Sequence, residues 1–198
     1  MKQLALGISP RQQPTLDNFV PGANAELISR LRAFKTGNFS ENVLYLWGEA
    51  GSGKSHLLSA CAGPNVVDDV DKLDDTSQIG LFNAINAARQ SGGAVLAAGN
   101  APPAQLPLRE DLKSRLAWGL VYQVKRLTDE ERGVYLRGEA ARRGTQLPDE
   151  VVSYLLTRMR RDLPSLAAML DRLDRASLER KRPITLPLVR ETLKDDEG

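Results

Sequence analysis

The chain has 198 residues, 41% apolar and 26% charged, enough to bury the core of one medium domain or of a domain with a small companion. Its 27 Lys and Arg against 25 Asp and Glu leave a net charge of +2, too mild to argue by itself for a nucleic-acid partner. A single cysteine, Cys61, and a single histidine, His56, exclude an internal disulfide and a Cys/His metal cluster, and no apolar run is long enough to cross a membrane. The apolar run in MKQLALGISPR is too short for a secretion signal, so a cytoplasmic protein is expected.

Residues 1–21, with Pro10, Pro14 and Pro21, read as an extended arm that becomes anchored around Phe19. Leu27, Leu31 and Phe34 recur at helical spacing over 23–36, and Gly37-Asn38 ends that helix. VLYLW at 43–47 is apolar without alternation, as expected of a strand buried on both faces of a parallel sheet. A helix is predicted from Lys54 to Ala62, and NVVDDV at 65–70 reads as a second strand. Ile79, Phe82, Ile85 and Ala88 mark a helix over 77–91, stopped by Gly92-Gly93. Residues 94–98 form a third strand, 108–118 a helix and 120–124 a fourth strand.

After Leu127 only helical patterns remain. Thr128 and Glu131 have capping-box spacing and open a helix to Arg143, with Gly144 as its stop. Pro148-Asp149-Glu150 opens a helix to Arg161, Pro164 stands at the start of a third, and 187–194 form a fourth. The predicted organisation is an arm (1–14), an α/β domain with a shortened parallel sheet of about four strands (15–126), and a small helical lid (127–195). The basic clusters at 142–143, 158–161 and 180–182 read as solvated helix faces.

Between the first strand and the next helix lies Gly48-Glu49-Ala50-Gly51-Ser52-Gly53-Lys54-Ser55, a complete G-x-x-x-x-G-K-[ST] motif in the strand–loop–helix setting it requires. Glycines let such a loop turn its N–H groups inward around phosphates. Lys54 is placed to reach the terminal phosphates of ATP or ADP, and the Ser55 hydroxyl to ligate Mg²⁺. At the end of the second strand, Asp68 is the carboxylate on the metal side. Asp69 stands where hydrolysing relatives usually carry a longer Glu that orients water. Asn100, after the third strand, is placed to touch the terminal phosphate or the water; from spacing alone it is equally a loop residue. Arg115, in DLKSRLAWG, is on spacing alone a solvated helix charge. Only 13 residues separate Lys54 from Asp68, where P-loop ATPases normally insert another strand and helix. One strand–helix unit is therefore expected to be missing, most tolerably from a sheet edge.

TLDNFVPGANAEL (15–27), the P-loop, VVDDVDKL (66–73), AAGNAPPAQL (97–106), DLKSRLAWGLVYQVKRL (111–127) and LDRLDRASLERKRPITLPLVRETL (170–193) resemble the AAA+ family of DnaA, and more closely its Hda branch of regulatory inactivators. The resemblance implies a nucleotide-binding regulator that limits re-initiation of DNA replication by stimulating hydrolysis of DnaA-bound ATP. Arg115 would be the arginine finger given in trans, and Asp69 and Asn100 would flank this protein's own phosphate site. The residues after the lid leave no room for the initiator's DNA-binding helix-turn-helix, which weights the resemblance toward the regulator. Gln3-Leu4-Ala5-Leu6 is similar to the peptide that docks on the sliding clamp, so Gln3, Leu4 and Leu6 are implied partner-binding residues, with DNA reached indirectly through the clamp and a homo-oligomer as a further implied state. Pro164 falls where the family's lid offers an Arg to the nucleotide, with Arg160 and Arg161 nearby. With that and the short Asp69, independent turnover is expected to be poor. An autonomous P-loop ATPase or helicase-loader-like factor, and a plain clamp adaptor with a vestigial P-loop, are the competing readings.

Overall fold

Residues 13–160 and 162–194 are described by the structure, a computed structural model. Gln3, Leu4 and Leu6 of the arm, together with Arg161, lie outside the described residues. The chain divides into two compact units, one ending at Lys125 and the other beginning at Arg126.

In the first unit a short 3₁₀ turn at Gly22–Asn24 leads into α1 (Ala25–Lys35), followed by β1 (Val43–Trp47), α2 (Lys54–Ala60), β2 (Val66–Val67), α3 (Asp75–Ser91), β3 (Val95–Gly99), α4 (Glu110–Leu116) and β4 (Leu120–Gln123). The four strands form one parallel sheet in the order β2-β3-β1-β4, the expected strand count. The central strands are buried on both faces. Leu44 and Leu46 of β1 and Leu96 and Ala98 of β3 join the core under α1 and α2. Val43, Tyr45, Val95 and Ala97 join the core under α3 and α4. This two-sided burial is why the strands read as unbroken apolar runs.

Several element ends differ from the sequence expectation, each for a local reason. α2 stops at Ala60 rather than Ala62, and β2 has two residues rather than six. The turn Val70–Lys72, entered through a left-handed Asp69 (φ 51°), ends β2. α3 starts two residues early because Asp74 caps it, accepting a hydrogen bond from Ser77 N at 2.8 Å. α4 is shorter than 108–118, beginning after Arg109 and ending at Leu116. β2 is an edge strand paired with β3 alone, so the expected loss of a strand–helix unit coincides with a short sheet edge.

The second unit is helical: α5 (Asp129–Arg142), α6 (Asp149–Arg158), α7 (Leu163–Arg180) and α8 (Leu186–Lys194). The expected capping box forms at α5, with Thr128 Oγ1 accepting from Glu131 N at 3.2 Å and Glu131 Oε2 accepting from Thr128 N at 2.7 Å. α6 ends three residues before Arg161, and Asp162 caps α7. Leu136, Val151, Leu155, Leu166, Leu170, Leu173 and Val189 close its core.

Candidate functional site

In a parallel sheet the loops at the carboxyl ends of the strands form one rim, where ligands bind. Trp47 of β1 pairs with Gly99 of β3, so the loop 48–53 and Asn100 leave the sheet side by side, and Asp68 leaves the end of β2 beyond them. The G-x-x-x-x-G-K-S segment therefore shares its rim with the acidic run and with Asn100.

Three features show why this loop needs its glycines. Gly51 (φ 79°) and Gly53 (φ 101°) are in the left-handed region that side chains rarely adopt. A β-carbon on Gly48 would stand 2.7 Å from Val124 O, and one on Gly53 would stand 2.7 Å from Phe19 Cε2. Lys54 Nζ donates to the loop's own carbonyls, Gly48 O at 2.7 Å and Glu49 O at 3.2 Å. Ser52 Oγ is buried and has no hydrogen-bond partner among the described residues. An orphaned hydroxyl inside a loop of glycines fits an anion cradle, because burial without a partner costs free energy that a bound acceptor would recover. Ser55 and Asp68, the residues placed for Mg²⁺, are exposed.

The segment before α1 closes over this loop. Thr15 and Asn18 cap each other, through Thr15 N to Asn18 Oδ1 at 2.9 Å and Asn18 N to Thr15 Oγ1 at 3.1 Å. Leu16 is buried in the core. The Thr15 carbonyl lies 2.9 Å from His56 Nε2, and the Phe19 ring packs at 5.5 Å from the His56 ring. His56, which the sequence excluded from metal binding, anchors this segment to α2.

The acidic run carries its own local contacts. Asp68 Oδ1 accepts from Asp69 N at 2.8 Å, and the left-handed Asp69 pairs with Lys72 at 2.7 Å. Asn100 is held by a residue that sequence reasoning missed, Asp71, whose Oδ1 accepts from Asn100 N at 3.1 Å and whose Oδ2 accepts from Asn100 Nδ2 at 3.0 Å. The signal was the third acid in DDVDKL. A β-carbon on Gly99 would overlap the Tyr45 hydroxyl, so the rim is tightly packed beneath Asn100. Burial, and then the nearby Asp71 charge, push the Tyr45 phenol far above its ordinary range. It stays protonated and donates to Ala101 O at 2.8 Å. Both carboxamide and carboxylate candidates, Asn100 and Asp69, are thus engaged by protein groups.

Arg115 sits near the C-terminal end of α4, with no acidic partner among the described residues. Its Cζ stacks 3.5 Å from the Trp118 ring centroid and 5.2 Å from that of Phe82, and its Nε is buried without a hydrogen-bond partner among the described residues. Arg109, the other arginine of this segment, is closed on Asp111 through Nε at 3.2 Å and Nη2 at 2.8 Å. That bidentate hydrogen bonding holds the Asp111 carboxyl below its usual range despite some opposing desolvation.

Comparison with known proteins bears on this arrangement. Residues 129–193 match the family model described as the Hda lid domain. A Haemophilus influenzae protein described as uncharacterized is 32% identical, the alignment covering 97% of this chain and 98% of that one. Domain III of the Thermotoga maritima replication initiation protein DnaA superposes with a TM-score of 0.70 at 22% identity, over 93% of this chain and 97% of that one. Replication initiator DnaA bound to AMPPCP and single-stranded DNA gives a TM-score of 0.69 at 20% identity, over 86% of this chain and 68% of that one. Those two likenesses establish the fold, a P-loop α/β sheet of the AAA+ type. With the lid matched to Hda and a relative aligned along nearly its whole length, the chain belongs to the DnaA-related AAA+ family, in its Hda-like branch.

Proposed function

We propose that this protein holds an adenine nucleotide in its P-loop as an ordering ligand and acts on ATP bound to DnaA, supplying Arg115 in trans to speed hydrolysis and so limit re-initiation of replication. The observation that carries the reading is a contrast between two rims of one unit. At its own phosphate loop, Asp69 and Asn100 are tied to Lys72 and Asp71. On the α3–α4 side, Arg115 is stacked on aromatic rings with no carboxylate paired to it among the described residues. A site whose water-orienting candidates are already engaged is suited to holding a nucleotide; an arginine kept free of acids is suited to another molecule's phosphates.

For the nucleotide, Lys54, Ser52 and the backbone of 48–53 are the groups that hold phosphate, and Ser55 and Asp68 those that take Mg²⁺. The metal, when bound, screens phosphate charge. AMPPCP, the ligand of a DnaA relative in this fold, is an ATP analogue, which supports an adenine nucleotide here. The arm residues Gln3, Leu4 and Leu6 bring the protein to the sliding clamp in this reading, and DNA is reached through that clamp.

The test mixes purified protein with DnaA–ATP and clamp loaded on DNA and measures phosphate release. Stimulation that needs all components, is abolished by Arg115→Ala, and is accompanied by little turnover of the protein alone is the expected result. Robust hydrolysis by the protein alone would favour the autonomous ATPase instead, and clamp binding without stimulation the plain adaptor.

A further inference from the structure

Two arginines and two aromatic rings converge where α3 packs beside the end of α4. The Arg115 Cζ lies 3.5 Å from the Trp118 centroid and 5.2 Å from Phe82, and the Arg89 Cζ lies 4.8 Å from the same indole. Neither Arg89 nor Arg115 forms an ion pair or hydrogen bond among the described residues. Two other arginines of this unit are closed on acids, Arg109 on Asp111 and Arg32 on Asp17.

The difference has a chemical consequence. A carboxylate engages a guanidinium through its in-plane N–H groups, the same donors a phosphate needs. An aromatic ring engages it through the face and leaves those donors open. Arg115 Nε is buried and has no hydrogen-bond partner among the described residues, and the residue as a whole is half-buried. The indole thus lies against the guanidinium face, the contact that leaves in-plane donors open to another acceptor. Trp118 is 47% exposed, so its ring is not required by the core. The backbone carrying it is fixed, because the next residue, Gly119, is pressed against the Val43 carbonyl.

We propose that Trp118 is the positioning residue of Arg115: its indole, braced by Arg89, holds the guanidinium flat, unpaired and pre-aimed at a phosphate on a partner molecule. This rests on the reading of Arg115 as a group acting in trans. Without the ring, an arginine at this helix end samples many rotamers, and misplacement of a reacting contact by about 1 Å costs about 10²-fold in rate.

The experiment uses the full-length protein and follows hydrolysis of DnaA-bound ATP against its concentration, giving a maximal rate and a half-saturating concentration. Trp118→Ala, Trp118→Phe, Trp118→Leu and Arg115→Ala are compared, with thermal melts for each. The Trp118 share of fluorescence, taken as the difference from Trp118→Phe, is read with and without Arg115→Ala, with no partner present. Expected are a changed Trp118 emission on loss of Arg115, a maximal rate lowered about 10²-fold by Trp118→Ala at unchanged half-saturation, and rescue by Phe but not by Leu. If Trp118→Ala melts early, the Phe and Leu pair decides, since both fill space and only Phe presents a π face. Full stimulation by Trp118→Ala or Trp118→Leu while Arg115→Ala is dead overturns the positioning role and leaves the trans reading standing. A raised half-saturation with unchanged maximal rate also overturns it, assigning Trp118 to docking. Stimulation by Arg115→Ala removes the trans reading and this proposal with it.

Discussion

Gly119 is pressed against the backbone of Val43: a β-carbon on Gly119 would overlap the Val43 carbonyl and crowd its Cβ. This contact closes the turn between α4 and β4 onto the start of β1, and it sets the backbone from which Trp118 and, a turn earlier, Arg115 project. Because the obstruction is main chain, no rotamer change relieves it. Gly119→Ala is expected to cost about 1–3 kcal/mol, the range for overpacking a fitted site. Thermal melting measures it, at about 2–4 °C per kcal/mol for a chain of this size. An unchanged melting temperature would show that β1 and the α4–β4 turn are not in this contact in solution.

Lys54→Ala should weaken nucleotide binding. Its ammonium now rests on Gly48 O and Glu49 O, within reach of the loop it serves. A hydrogen bond to a charged group contributes about 1.5–3 kcal/mol, so the dissociation constant for ADP should rise about 10- to 100-fold, read by calorimetry or a fluorescent analogue. Equal affinity in the variant would mean that the loop does not hold phosphate.

Asp71→Ala removes both acceptors of Asn100. Hydrogen exchange at residues 99–103 should accelerate and stability fall by about 1 kcal/mol. Asp69→Asn, which weakens an exposed contact with Lys72 but keeps a residue that tolerates the left-handed turn, should leave exchange there unchanged. If the two variants behave alike, Asp71 is not the clamp on Asn100.

The helical unit should lose stability in acid partly through Asp162. Burial raises this carboxyl, but the hydrogen bonds from Ser165 outweigh it and hold the group below its ordinary value. The folded value being the lower one, the contribution is present above the unfolded value and lost as pH falls through the folded value. Asp162→Ala removes the α7 cap, costing about 0.5–2 kcal/mol at neutral pH. The gap from wild type should narrow toward pH 2, followed by circular dichroism melts across pH. A gap independent of pH would refute the cap.

Gln3→Ala combined with Leu6→Ala should abolish binding to the sliding clamp in a surface-binding assay, with the melting temperature unchanged. Undiminished affinity in the double variant would remove the arm from the proposed function.

The sequence by itself determined what depends on near neighbours in the chain. Two-sided burial wrote β1 and β3 as unbroken apolar runs. The capping box at Thr128 and Glu131 closes within one turn, and the glycines of 48–53 mark a loop whose conformation side chains resist. The 13 residues between Lys54 and Asp68 were too few for another strand and helix, and chain length alone made that legible. The tertiary structure decided which distant groups share a partner. Nothing local says that Asp71 rather than Asp69 reaches Asn100, because that depends on the left-handed turn at Asp69 and on how β2 lies beside β3. Nor does spacing show that Arg89 and Phe82 of α3 meet Arg115 and Trp118 of the α4 segment. Periodicity fixes which face of a helix is buried; the packing of one helix against another fixes which exposed side chains at its margin touch, and there the charge of Arg115 was left on a ring instead of an acid.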